Sequence, residues 1–159
     1  MGNIKELSAE IVSLCTFKGL TIGFAESLTG GLISAEIVSV PGASACLEGS
    51  VVSYSNDIKI YVLGVDEDVI RDHGAVSEQC AMQMASGARR VLNTDIAVSV
   101  TGIAGPAGGS KEKPVGTVYI GFASQDKNYA NHYIFTGDRD SIRLQTVEEA
   151  FKTALVNIR

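Results

Sequence analysis

The sequence predicts an α/β protein: one three-layer α/β/α domain over residues 1–159, with a mixed, mostly parallel sheet of about five strands. Three observations predict it. Short apolar runs rich in strand formers alternate with helical apolar spacing through the first two thirds of the chain. A polar link, Gln125-Asp126-Lys127-Asn128, joins two late strands as an antiparallel hairpin. The 159 residues, 45% hydrophobic and 19% charged, supply enough apolar material for one ordinary core.

The elements follow in order. Ile4, Leu7, Ile11 and Leu14 have helical spacing, which predicts an amphipathic helix to Lys18, stopped by Gly19. Leu20–Ala25 reads as a buried strand. A turn over Glu26–Gly31 leads into a helix from Leu32 to Val40, ended by Pro41-Gly42. Leu47–Tyr54 is a second apolar strand. Asn56–Leu63 is a short helix closed by Gly64, and His73-Gly74 is a turn. Ser77 caps a long helix over Glu78–Leu92, whose Arg89 and Arg90 suit the C-terminal dipole. Asp95–Val100 is a third strand, followed by a glycine-rich loop over Gly102–Pro114. Val115–Ser124 and Tyr129–Thr136 form the hairpin, and Asp138 begins the last helix.

Composition narrows the function. A net charge of −5 without a lysine-rich block argues against a broad nucleic-acid footprint. Cys15, Cys46 and Cys80 show neither metal spacing nor a disulfide framework and read as buried free thiols. No apolar run approaches the ~20 residues that span a membrane. The polar segment Met1–Ser8 is unlike a secretory leader, so a reducing cytoplasm is the expected location.

In an open α/β sheet, ligands bind beyond the carboxyl ends of the strands. Three polar segments follow strands here: Glu26–Gly31, Tyr54–Lys59 and Thr101–Pro114. If the three strands are parallel neighbours, these segments meet in one cleft. Ser27 and Thr29 stand at a helix N-terminus, where hydroxyls commonly cap the helix. Two hydroxyls followed by Gly30-Gly31 exceed what capping requires. Read chemically, Ser27 is a nucleophile, and backbone N–H groups of Thr29, Gly30 and Gly31 are candidates to stabilise an oxyanion.

A serine nucleophile needs a base. The only histidines, His73 and His132, lie beside a turn glycine and within a late strand, with no second polar partner marking a triad. Lys59, flanked by Ile58, Ile60 and Tyr61, is the better candidate. Its amine must fall from ~10.4 towards neutrality, which burial can achieve. From spacing alone, a solvated surface lysine is the favoured reading. Tyr54 could orient a ligand or carry a proton. Thr101 ends a strand, and Gly102 and Gly105 open a loop that fits neither the Walker nor the dinucleotide pattern. Arg139 and Arg143, four apart, share one helix face and suit a phosphate, or pair with Asp138 and Asp140.

Several motifs occur together in order. They are Ala25-Glu26-Ser27-Leu28-Thr29-Gly30-Gly31, Tyr54-Ser55-Asn56 with Lys59, and His73-Gly74-Ala75-Val76-Ser77-Glu78. Thr101-Gly102-Ile103-Ala104-Gly105-Pro106 and Lys113-Pro114-Val115-Gly116-Thr117-Val118 follow. Together they resemble the CinA C-terminal domain family, the PncC-type nicotinamide-nucleotide amidases, from about residue 5 to 155. The resemblance implies hydrolysis of nicotinamide mononucleotide to nicotinic acid mononucleotide and ammonia, in pyridine-nucleotide salvage. It implies a Ser27–Lys59 dyad, with substrate contacts near Tyr54, Thr101 and the arginines of the last helix. It also implies a self-associating α/β/α domain working without cofactor or metal. Many members carry a larger, metal-dependent N-terminal domain, which this sequence is not expected to contain. Two readings without turnover stay open on sequence: a nucleotide-binding regulatory module and a dimerisation module.

Overall fold

The computed structural model describes residues 2–159; Met1, part of the segment read as unlike a leader, lies outside the described residues. Its elements are α1 (Gly2–Lys18), β1 (Ile22–Glu26), α2 (Leu32–Val38) and β2 (Leu47–Val52), then α3 (Asn56–Tyr61), α4 (Glu67–His73) and α5 (Glu78–Leu92). They are followed by β3 (Ile96–Gly102), β4 (Thr117–Ala123), β5 (Asn128–Ile134) and α6 (Arg139–Ile158). A short 3-10 turn, Ala43–Ala45, precedes β2.

The strands form one sheet in the order β2-β1-β3-β4-β5. β1 lies parallel to both β2 and β3, while β4 runs antiparallel to β3 and to β5. β5 therefore points the same way as the first three strands, and only β4 opposes them. Side-chain alternation along the strands divides the core in two. Ile22, Phe24, Val98, Val100, Ile120 and Phe122 face a layer made by α1, α2 and α6. Ala25 and Ala97 face Cys80, Met84 and Ala88 of α5.

The small residues on this second face let α5 lie close to its neighbours. At Gly87, an added Cβ would stand 1.9 Å from the Leu63 carbonyl oxygen, so only glycine allows that approach. This contact matters to the site, because Leu63 ends the segment that carries Lys59.

Two details depart from the sequence expectations. Glu67–His73 is a helix that apolar spacing does not reveal, since none of its residues is fully buried. Its charges do carry the signal: Glu67 and Asp68 in the first turn, Arg71 and His73 in the last. The second strand also stops at Val52, and Ser53–Ser55 leads into the next helix.

Candidate active site

β1 is the central parallel strand, and its last residue, Glu26, pairs with Val52 on one side and Val100 on the other. The chain leaves β1 towards β2 at one edge, then crosses back to β3 on the opposite flank. That reversal opens a crevice beyond the carboxyl ends of the strands. Both ladders continue one step further: Ser27 N–H donates to Val100 O at 3.2 Å, and Ser53 N–H donates to Glu26 O at 2.8 Å. Ser27 is thereby held between the ends of the two neighbouring strands.

The turn after β1 is not capped as the sequence suggests. Gly31 is the N-cap of α2, at φ +104°, and no side chain of its own caps the helix. Gly30 is also left-handed, at φ +59°. The capping acceptor is Glu26, fully buried, which reaches back under the turn. Its Oε1 accepts from Ile33 N–H at 2.9 Å and from Thr29 Oγ1 at 2.8 Å. Its Oε2 accepts from Ser34 N–H at 3.2 Å, Ser34 Oγ at 2.9 Å and Ser50 Oγ at 2.8 Å. A carboxylate facing a helix N-terminus is favourably placed. With Glu26 capping the helix, the Ser27 hydroxyl is released from that task.

That hydroxyl meets Lys59. Ser55 caps α3, accepting from Ile58 N–H at 3.3 Å, and the helix points Lys59 inward to only 2% exposure. Lys59 Nζ lies 3.0 Å from Ser27 Oγ, 2.7 Å from Ser53 O and 3.2 Å from Tyr54 O. Burial holds its amine below the ordinary lysine value, with nearby Cys80 acting in the opposite direction. Among the described residues no carboxylate pairs with it, so desolvation is not offset by an ion pair. In the neutral amine, the two N–H bonds satisfy the two carbonyls and the lone pair remains for the serine hydroxyl.

A cleft of about 330 Å³ opens over this pair. Ser27, Tyr54, Lys59, Thr101, Gly102, Gly105 and Arg139 all line it, together with Leu28, Asn56 and Val76. Tyr54 stands at the rim, 65% exposed, and enters the site as a wall and through its carbonyl. The Thr101 hydroxyl donates to Ala75 O at 2.9 Å, which ties the segment before α5 to the end of β3. Arg139 donates to Gly105 O at 2.8 Å and lines the cleft.

Four predicted site residues stand outside this lining. Thr29 is buried and spends its hydroxyl on Glu26. Gly30 donates its N–H to Ser27 O at 3.1 Å, so that group is not open to an oxyanion. Gly31 forms the helix cap. Arg143, expected to hold a phosphate, instead donates to Leu28 O at 2.8 Å and Thr29 O at 3.1 Å. Its partner Asp140 is 3.9 Å away, a loose pair at the surface. Sequence reasoning missed Glu26 and the Ser53 carbonyl. A glutamate ending an apolar buried strand was the available signal for the first; a backbone carbonyl leaves none.

His73 and His132 take no part: neither lines the cleft, and His132 stacks on Tyr119 with ring centroids 4.6 Å apart. Cys15, Cys46 and Cys80 are buried free thiols, as expected. Among the described residues, no group of three or more metal-ligating side chains comes together, and no helix is long and apolar enough to cross a membrane.

A buried serine–lysine contact at the crevice of an α/β sheet is what the fold and site define. The model of the CinA C-terminal domain matches residues 4–157, and the chain belongs to that family. It is 45% identical over 157 residues to the CinA-like protein of Thermotoga maritima, covering 99% of this chain and 37% of that one. It is 49% identical over 140 residues to the CinA-like protein of Dictyoglomus turgidum, covering 88% and 34%. The chain thus spans about a third of the length of these relatives. The crystal structure of competence/damage inducible protein CihA from Agrobacterium tumefaciens superposes with a TM-score of 0.93 at 41% identity, covering 99% of this chain and 96% of that one. A CinA superfamily protein from Klebsiella pneumoniae gives 0.93 at 30% identity, covering 98% and 97%.

Proposed function

We propose that this domain hydrolyses the carboxamide of nicotinamide mononucleotide, releasing nicotinic acid mononucleotide and ammonia. The observation that carries the reading is the buried Lys59 amine 3.0 Å from Ser27 Oγ, without a carboxylate partner among the described residues and facing a cleft. Family membership supports the same chemistry.

In the proposed reaction, neutral Lys59 takes the Ser27 proton as Oγ attacks the carboxamide carbon. The negative charge on the former carbonyl oxygen meets backbone N–H groups of the turn. Lys59 returns the proton to the nitrogen, ammonia leaves, and an ester to Ser27 remains. Water, deprotonated by Lys59, attacks that ester; the acid leaves and Ser27 regains its proton. The cationic pyridinium ring withdraws electrons from the carboxamide and favours the attack. Arg139, a charged residue of the cleft lining, would hold the substrate phosphate.

Purified protein incubated with nicotinamide mononucleotide is the test. Stoichiometric ammonia and nicotinic acid mononucleotide are the expected products. Tight binding without ammonia points to a regulatory module; neither binding nor ammonia points to a dimerisation module.

A further inference from the structure

We propose that Arg143 is a positioning residue for the nucleophile turn: from α6 it fixes the Leu28–Thr29 and Thr29–Gly30 peptide units, and through the Gly30 N–H bond to Ser27 O it sets the Ser27–Leu28 unit, whose Leu28 N–H serves as the oxyanion-hole donor. The proposal rests on Ser27 being the nucleophile, but not on the identity of the amide substrate.

The turn is gripped from two sides by opposite charges. Glu26 accepts from the donors of Thr29, Ile33 and Ser34, and Arg143 donates to the carbonyls of Leu28 and Thr29. The two arginine bonds fall on adjacent peptide units. In a trans peptide the carbonyl and the following N–H point in opposite directions. With Leu28 O drawn towards α6, the Thr29 N–H is turned away from α6. With Thr29 O drawn the same way, the Gly30 N–H turns back to Ser27 O at 3.1 Å.

This accounting leaves two donors. The N–H groups of Leu28 and Thr29 meet no acceptor among the described residues, though Leu28 is 5% exposed and Thr29 is fully buried. Buried N–H groups are rarely left unpaired. These two follow the nucleophile directly, and Leu28 lines the cleft. Thr29 stands outside the cleft lining, so a developing oxyanion on the carbon attacked by Ser27 would pair with the Leu28 N–H, whose peptide unit is held by the Gly30 N–H on Ser27 O. The guanidinium also packs on the turn itself: an added Cβ at Gly30 would stand 3.8 Å from an Arg143 nitrogen. Lysine, a point donor on a flexible stem, cannot hold two adjacent carbonyls in one plane as a guanidinium does.

The experiment measures labelling of Ser27 by a small fluorophosphonate, which forms the Oγ–P bond, expels fluoride and leaves its developing negative oxygen in the oxyanion hole. The readout needs no nucleotide, so a failure of the proposed substrate leaves it intact. Arg143→Ala and Arg143→Lys should each label more slowly, by about 10²-fold for alanine and less for lysine. The plateau rate should fall while the midpoint of its pH profile, set by Lys59, stays in place. With any substrate the domain turns over, kcat should fall with KM little changed. Labelling of either variant at the wild-type rate overturns the proposal, as does an increase confined to the KM of phosphorylated substrates. If Arg143→Ala does not fold, Arg143→Lys alone decides between these outcomes.

Discussion

Lys59 Nζ lies 3.0 Å from Ser27 Oγ, 32 residues earlier in the chain, and both side chains are buried at the mouth of one cleft. Two carbonyls, Ser53 O and Tyr54 O, also accept from the amine, so a neutral Lys59 would have its lone pair left for the hydroxyl.

Ser27→Ala should abolish hydrolysis, by at least ~10³-fold in kcat, with thermal unfolding little changed. Ser27 contributes one hydroxyl to Lys59, whose two carbonyl partners remain. Full ammonia release by this variant would remove Ser27 from the nucleophile role.

Lys59→Arg should be nearly inactive, because guanidinium does not deprotonate near neutral pH. In the wild type, kcat/KM should rise with pH along an acidic limb that reports Lys59. Its midpoint should lie below the ~10.4 of free lysine, as burial dictates. A rate that is flat from pH 6 to 10, or an active arginine variant, would exclude lysine as the base.

The same burial predicts a stability signature. The folded-state pKa of Lys59 is lowered, so between that value and ~10.4 the unfolded chain binds one more proton than the folded chain. The stability of the wild type relative to Lys59→Met should therefore rise with pH across this window, by at most about 1.4 kcal/mol per pH unit. The penalty is full below the folded pKa and gone above ~10.4. Urea unfolding of both proteins at several pH values measures it; a constant difference would mean that Lys59 titrates normally.

Glu26→Ala should cost about 3 kcal/mol or more, because five donors converge on that buried carboxylate. The loss should appear in urea unfolding at pH 7, together with a fall in kcat as the Ser27 turn loosens. A variant as stable as wild type would show that the turn does not depend on this cap.

Arg139→Ala should raise KM for the nucleotide by about 10- to 100-fold, the range for a lost hydrogen bond to a charged group. The corresponding nucleoside should be affected far less. Equal effects on both would mean that Arg139 serves only its bond to Gly105 O.

Much of this was legible in the chain. Glu78–Leu92 is the helix that Ser77 capping and its terminal arginines predict. The late hairpin, the mixed sheet and the cleft beyond three parallel strands also follow from apolar runs and turn signals. These features are local: each depends on residues within a few positions of one another, or on the rule that parallel strands end at one rim. Helix α4 escaped because it buries no residue fully, and apolar spacing reports only burial.

Only the tertiary structure decided which polar groups face the cleft. In the sequence Ser27 and Thr29 are equivalent cap candidates, and Arg139 and Arg143 are equivalent anion binders. Folding separates each pair. Glu26 captures Thr29 and leaves Ser27 to Lys59, while the Leu28 and Thr29 carbonyls capture Arg143 and leave Arg139 at the cleft. The physical reason is competition: a polar side chain goes to whichever buried partner would otherwise be unpaired, and those partners are brought there by strands and helices distant in sequence.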